Sequence, residues 1–391
     1  MPKTDVIAAL TPEITAIRRD FHQHPELLFD VQRTAGVVER KLKEWGVDEV
    51  VGGIGRTGVV GVIRGRDSGS GKVIGLRADM DALPIHEETN LEHRSTVAGK
   101  MHACGHDGHT AMLLGAAKYL AETRDFDGTA VVIFQPAEEG GAGGKEMCDE
   151  GLMERFGVQE VYGLHNMPGL PVGRFAIRKG PMMAAADRFH IKIEGRGGHA
   201  ARPHDTKDPL IAAVQLVSAL QTIASRNADP LDSVVLSVTA LNAGEAYNVI
   251  PQHAEIKGTV RTLTKSMQDM VEARMHAIVN GVMAAFDMKV DFEYHRGYPV
   301  TFNHAGQTDF VTSATKQVFG SDAIDTDIQP MMGSEDFSYM LEERPGAYIF
   351  MGNGDSAGLH NPAYEFDDAA IPVGVAYWAS LVEIAMPRRA A

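Results

Sequence analysis

Three short polar clusters each stand at the end of an apolar run, and this repetition constrains the chain more than any other feature. Asp79 and Asp81 follow Val73-Ile74-Gly75-Leu76, Glu138 and Glu139 follow the run 131–134, and His165 follows the run 161–164. Helical spacing fills the intervals, over 109–122 and over 146–156. Apolar runs alternating with helical stretches predict an α/β architecture: a mixed, largely parallel sheet sandwiched by helices. In open sheets of this kind ligands bind beyond the carboxyl ends of the strands. Three polar clusters at one such edge predict a single shared site.

The rest of the chain supports two domains. Val6, Leu10, Ile14, Ile17 and Phe21 recur at helical spacing and predict an opening helix over 5–24, with a second over 31–45 and a buried strand over 59–63. Near residue 185 the pattern changes. Residues 188–194 alternate with period two, and Asp208-Pro209 starts a helix that runs to about Arg226. Strands follow over 233–241 and 254–262, then a helix over 266–285 and a strand over 289–294. The order β-α-β-β-α-β is the ferredoxin-like unit. The expected organisation is a first domain split between 1–184 and 297–391, with a second, 185–296, inserted into it; 391 residues suit two domains. The glycine-rich stretch 65–71 is expected to be a turn. Within it Gly69-Ser70-Gly71-Lys72 is not a phosphate loop, because Val73 stands where Ser or Thr is required.

A formal net charge of −15 argues against nucleic acid or an anionic membrane as the main partner. No window approaches 18 consecutive apolar residues, so no spanning helix is expected. Two cysteines, Cys104 and Cys148, are too few for a disulfide scaffold, and the N-terminus shows no signal-peptide pattern. The expectation is a cytoplasmic protein in a reducing compartment.

The chemistry centres on Met101-His102-Ala103-Cys104-Gly105-His106-Asp107-Gly108-His109. A thiolate and an imidazole two residues apart suit zinc or a similar divalent transition metal. Glu139, His165 and His360 can add a carboxylate and two imidazoles. Five donors exceed one tetrahedral site and suit two metal ions sharing a ligand, an arrangement that activates water and polarises a carbonyl. Glu139 would bind metal and Glu138 would be the general base. Asp79 and Asp81 are expected to orient a ligand histidine. His102 and His109 are read as supporting residues, and Cys148 as an inert thiol.

At this point the residues resemble a known family. Leu76-Arg77-Ala78-Asp79-Met80-Asp81-Ala82-Leu83-Pro84, the segment from Met101 to His109, Gln135-Pro136-Ala137-Glu138-Glu139-Gly140, Gly163-Leu164-His165, the segment from Gly195 to Pro203, Asn248-Val249-Ile250-Pro251, Gly333-Ser334-Glu335-Asp336-Phe337 and Leu359-His360-Asn361-Pro362 run in order over nearly the whole chain. Together they are similar to the M20 metallopeptidases, in the aminoacylase/hippurate hydrolase branch that includes plant auxin-conjugate hydrolases. The resemblance implies Cys104, His106, Glu139, His165 and His360 as ligands of two divalent ions (zinc, manganese, cobalt or nickel), with Cys104 bridging, and Glu138 as general base. Many members of the wider family carry His-x-Asp where Asp79-Met80-Asp81 stands, and an Asp bridge in place of Cys; this branch replaces both together. The resemblance also makes the inserted domain a lid and dimerisation unit. His199 would stabilise an oxyanion in a partner subunit's site, and Asn248 and Arg261 would hold the substrate, an Arg fork suiting its carboxylate.

The expected activity is hydrolysis of N-acyl amino acids to a carboxylate and a free amino acid, in a homodimer or higher homo-oligomer. Alternatives at this stage are an N-acetyl-diaminopimelate deacetylase or dipeptidase with the same mechanism, a catalytically silent binding protein of the same fold, and a structural zinc protein.

Overall fold

The computed structural model describes residues 2–67 and 69–388; Ser68, within the expected 65–71 turn, lies outside the described residues. The chain divides into two compact units. The first comprises Met1–Met182, Phe302–Gln329 and Asp336–Ala391, and the second Met183–Thr301 and Pro330–Glu335.

The first unit is built on an eight-stranded sheet, in the order Glu49–Ile54, Gly58–Arg64, Thr129–Gln135, Val73–Asp79, Glu160–Met167, Gly346–Gly352, Phe175–Ala176 and Ile324–Asp325. The four strands from Thr129–Gln135 to Gly346–Gly352 run parallel, and antiparallel pairings flank them. The parallel strands are buried along nearly their whole length, which is why they read as continuous apolar runs. Val73–Asp79 lies between Thr129–Gln135 and Glu160–Met167, so the chain steps to one side of it and then crosses to the other. That reversal opens a crevice at the carboxyl ends of these three strands.

Helix His106–Thr123 packs on this sheet, and Thr4–Gln23 and Ala370–Ala385 pack on that helix and on one another. All three meet at Gly115, where a Cβ would lie 2.6 Å from Val375 and 3.3 Å from Ile14. The opening helix buries Ile7, Leu10, Ile14, Ile17 and Phe21, so Ile7 rather than Val6 completes the stripe. Each such side chain contributes about 1.5–3 kcal/mol.

The structure differs locally from the sequence expectations. Helix His106–Thr123 begins three residues earlier than its apolar periodicity, because Gly105 adopts a left-handed φ of 85° and turns the loop directly into the helix. The helix expected over 146–156 is two, Gly143–Asp149 and Leu152–Arg155, separated by left-handed Gly151. His165 lies inside its strand rather than after it, since Glu160–Met167 pairs with Gly346–Gly352 to its end. Glu49–Ile54, a half-exposed edge strand, carries no apolar run to announce it.

In the second unit a four-stranded antiparallel sheet has the order Val234–Asn242, His253–Thr262, Ala185–Glu194, Lys289–Arg296. Helices Pro209–Thr222 and Lys265–Ala285 connect the strands as β-α-β-β-α-β. Their apolar residues, among them Leu216, Leu220, Val271, Met275 and Val279, bury Phe189, Ile191, Ile193, Ile256 and Val260. The first helix starts as its sequence dictates: Pro209 occupies the first turn and the Asp208 carboxylate accepts the Leu210 N–H at 2.9 Å. A separate two-stranded ladder pairs Gly198–His199 with Val249–Ile250. No helix among the described residues is long and apolar enough to cross a membrane.

Candidate metal centre

Four segments converge at the crevice of the first unit. Strand Val73–Asp79 delivers Asp79 and then Asp81. The turn into helix His106–Thr123 delivers Cys104 and His106. The loop after Thr129–Gln135 delivers Glu138 and Glu139, and strand Glu160–Met167 delivers His165. His360 comes from the loop after Gly346–Gly352 and is tied in by its main-chain N–H, which donates to the Ala103 carbonyl at 2.8 Å. Backbone strain concentrates here: Ala137 and His360 are non-glycine residues with φ of 56° and 62°.

Five compact donor groups form among the described residues, and two of them share Cys104: Cys104, His106 and His165, and Cys104, Glu139 and His360. Cys104 belongs to both. Its Sγ lies 3.4 Å from His165 Nε2, and Glu139 Oε1 lies 3.3 Å from His360 Nε2.

The hydrogen bonds decide which ring nitrogens can ligate. His106 Nδ1–H donates to the Asp81 carbonyl at 2.8 Å, and His165 Nδ1–H donates to the Asn166 carbonyl at 2.7 Å. Each ring therefore presents its Nε2 lone pair to the centre. His106 Nε2 is buried without a hydrogen-bond partner, and Glu139 Oε1 is buried with only the His360 ring facing it. Buried polar atoms are rarely left so, and a cation bound by this donor set would satisfy both. His109 differs. Its Nε2 accepts the Asn166 N–H at 2.9 Å and its Nδ1 donates to Asp79 Oδ1 at 2.7 Å, so its lone pair is already taken.

Electrostatics agree with a site built for cations. Burial raises Asp79, but His106, Arg77 and His109 outweigh it and hold the carboxyl well below the usual range. Burial would lower His106, yet Asp79 and Cys104 raise it well above the ordinary imidazole value, a proton that a divalent ion would replace. Burial pushes the Cys104 thiol up and drives His165 well down. Cys104 and Glu139 together raise His360 to about 10.

Asp81 fixes the loop that carries Glu138 and Glu139. Its carboxylate accepts the main-chain N–H of Glu138 at 2.9 Å and of Glu139 at 3.1 Å. Asp79 contacts His109 by hydrogen bond and faces His106 Nε2 at 3.6 Å. Behind them Arg77, wholly buried, donates to Asp79 at 2.7 Å, to Gln135 at 2.8 Å and to Asp336 at 3.0 Å.

Asn166 is the supporting residue the sequence reading does not name. Its amide donates to the Cys104 carbonyl at 2.6 Å, and its Oδ1 accepts the Tyr364 hydroxyl at 2.8 Å. A Cβ at Gly105 would lie 2.3 Å from this amide, so glycine is required there twice over. The available signal is a polar residue next to His165 in an otherwise apolar strand. Arg77 gives the same signal within Leu76-Arg77-Ala78.

The remaining named residues lie in the second unit. The short ladder places His199 beside Asn248: His199 pairs with Val249, and the Ala200 N–H donates to the Asn248 carbonyl at 3.0 Å. Both side chains are exposed. Arg261 lies elsewhere, on strand His253–Thr262 in register with Val235 and Ala186. It is half-buried, and its Nη1 donates to the Val260 carbonyl at 3.0 Å. Cys104 and Cys148 are both free and buried.

Comparison with known proteins places this fold and centre. The model of peptidase family M20/M25/M40 matches residues 75–384, and the chain belongs to that family. It is 44% identical over 375 residues to the hippurate hydrolase of Campylobacter jejuni, covering 96% of this chain and 97% of that one. It is 42% identical over 366 residues to the N-acetyl-L-cysteine deacetylase of Bacillus subtilis, covering 93% and 86%. Among solved structures it is similar to the Bacillus subtilis YXEP protein, described as a dinuclear metal-binding peptidase of the M20 family, with a TM-score of 0.85 and 36% identity over 97% of this chain and 99% of that one.

Proposed function

We propose that the chain hydrolyses the amide bond of N-acyl amino acids, releasing a carboxylate and a free amino acid. The observation that carries this reading is the pair of donor triads sharing Cys104, with Glu138 on the same loop as Glu139. The hippurate hydrolase and N-acetyl-L-cysteine deacetylase relatives support the substrate class.

Cys104, His106 and His165 would hold one divalent ion, and Cys104, Glu139 and His360 a second. Thiolate, imidazole and carboxylate together suit zinc, manganese, cobalt or nickel. When bound, the ions supply Lewis acidity to the scissile carbonyl and make water a competent nucleophile near neutral pH. The chain does the rest. Glu138 takes a proton from the attacking water and delivers it to the departing amine nitrogen. Asp81 fixes the main chain on which Glu138 stands. His199 would donate to the oxyanion in a partner subunit's site as the carbonyl carbon becomes tetrahedral. Asn248 and Arg261 hold the substrate, Arg261 pairing with its free carboxylate.

Self-association through the second unit belongs to the same reading. Helix Pro209–Thr222 exposes Leu210, Ile211 and Val214, and the edge strand Val234–Asn242 exposes Val235 and Leu241. An open strand edge beside an exposed apolar helix face suits a two-fold contact with a second copy. Light scattering should then give a dimer or a higher oligomer. A cytoplasmic location suits a centre that needs Cys104 as a reduced thiol.

The test is steady-state hydrolysis by metal-loaded protein across hippurate, N-acetyl amino acids, N-acetyl-diaminopimelate and dipeptides. Preference for the first two classes supports the reading. Preference for either of the others replaces the substrate and keeps the mechanism. Tight binding without turnover of any overturns it.

A further inference from the structure

Leu28 combines a left-handed backbone, in a turn closed by the Asp30 N–H on the Leu27 carbonyl at 2.9 Å, with an exposed apolar side chain. Its φ is 51°, in the left-handed region where glycine is at ease and a branched side chain is not. The residue is also 41% exposed, so the strain is not retained to fill the core. Strained residues of this kind persist only where the surroundings over-determine them, and they cluster at functional sites.

The surroundings do over-determine this one. The Ala82 N–H donates to the Glu26 carbonyl at 2.8 Å, and Leu27 forms a parallel bridge with Ala82. The Leu28 carbonyl accepts the Ala137 N–H at 3.1 Å. The next carbonyl, of Phe29, accepts the Thr57 hydroxyl at 3.0 Å, and the Arg56 guanidinium stacks 4.0 Å above the Phe29 ring. Glu26 caps the following helix through the N–H groups of Arg33 and Thr34. The segment 26–29 is thus pinned between the residue after Asp81 and the residue before Glu138. Leu28 is fastened to the loop that carries Glu138 and left uncovered.

We propose that Leu28 is a specificity residue that contacts the acyl group of the substrate and favours bulky apolar acyl chains over acetyl. The inference rests on the N-acyl amino acid hydrolase reading. The acyl carbonyl must approach both the donor triads and Glu138, so the group beyond it lies against whatever flanks the Glu138 loop. The Leu28 backbone is fastened to that loop at Ala137. A pre-set apolar wall rewards a ligand that covers it, and loss of one apolar contact in such a site is worth about tenfold in selectivity.

The test compares N-benzoylglycine with N-acetylglycine for metal-loaded wild type and the variants Leu28→Gly, Leu28→Asn and Leu28→Met. Gly and Asn both accept the left-handed backbone, so they remove the side chain without adding strain. The expected result is a fall of about tenfold in the benzoyl/acetyl ratio of kcat/KM for Leu28→Gly and Leu28→Asn, carried by KM for the benzoyl substrate, with Leu28→Met within about twofold of wild type. Leu28→Gly should also melt no lower than wild type. An unchanged ratio in both small variants overturns the proposal, as does an equal loss of kcat on both substrates, or a wild type that uses the acetyl but not the benzoyl substrate. A wild type inactive on both overturns this inference, and the hydrolase reading falls with it only if the wider amide panel is also left unhydrolysed; an active wild type with an unmoved ratio overturns this inference alone.

Discussion

The Asp81 carboxylate accepts the main-chain N–H of Glu138 at 2.9 Å. Its second oxygen accepts the N–H of Glu139 at 3.1 Å, while the Asp81 main-chain carbonyl separately holds His106 Nδ1. One residue thus holds the Glu138-Glu139 main chain through its side chain and His106 through its backbone. Asp81→Asn alters only the first function, because its amide can accept one N–H and must confront the other. The expected outcome is a fall in kcat of about 10–100-fold with metal content near wild type. Parallel kinetics and metal analysis check it. Metal loss as large as in His106→Ala would show that the carboxylate supports His106 instead.

The neighbouring glutamates should behave as opposites. Glu138→Gln removes a proton acceptor and is expected to lower kcat about 10²–10⁴-fold, with metal content and KM little changed. Glu139→Gln weakens the triad with Cys104 and His360, and is expected to lower metal content as well as rate. Metal per chain, measured on both variants after identical dialysis, separates the roles. Equal metal loss in the two would make Glu138 a ligand.

Cys104 belongs to both donor triads, so its loss should affect two ions and not one. Cys104→Ala is expected to reduce bound metal below that of either His165→Ala or His360→Ala, each of which removes a donor from one triad. Graded chelation of wild type should inactivate it before the far-UV circular dichroism changes, since the sheet beneath the centre is a complete apolar core. Unfolding in step with metal loss would instead make the centre structural.

Much of this was legible in the sequence because two independent regularities coincide. Buried parallel strands need unbroken apolar runs, and ligands at their carboxyl ends need polar residues immediately afterwards. Asp79, Glu138 and Glu139 satisfied both, and the period-two run at 188–194 marked the second unit for the same kind of reason. What escaped was the support. Asn166 and Arg77 are polar residues inside apolar strands, and only the fold reveals that one holds the Cys104 loop and the other Asp79. Helix His106–Thr123 began early because a glycine φ, not apolar periodicity, sets its start. Leu28 gave no signal at all, since a strained φ in a leucine is invisible until the backbone is traced.

A buried ion network beside the centre gives the last prediction. His22 is fully buried; its Nδ1 lies 2.9 Å from Asp107 Oδ2 and its Nε2 lies 3.3 Å from Glu87 Oε1. Buried Arg18 also reaches Asp107, at 3.3 Å. Burial would lower the His22 pKa, but Asp107 and Glu87 overcome it and raise it from 6.5 to about 9. Against burial, His22, His102 and Arg18 hold the Asp107 carboxyl far below the usual carboxylate range. A raised histidine pKa gives stability that is complete below the unfolded value and is lost as pH rises through the folded one. The His22 contribution is therefore full below about pH 6.5 and declines up to and through about pH 9. The depressed Asp107 contribution is present above the unfolded carboxyl value and is lost only as pH falls below it. At about 1.4 kcal/mol per pH unit the His22 part is of the order of 3 kcal/mol. The melting temperature of wild type should thus fall between pH 7 and pH 10, and the fall should be much smaller in His22→Gln, which starts lower because it leaves Asp107 without its histidine partner. Calorimetry of the two proteins over that range, at fixed ionic strength and metal content, checks it; parallel curves would remove His22 from the account.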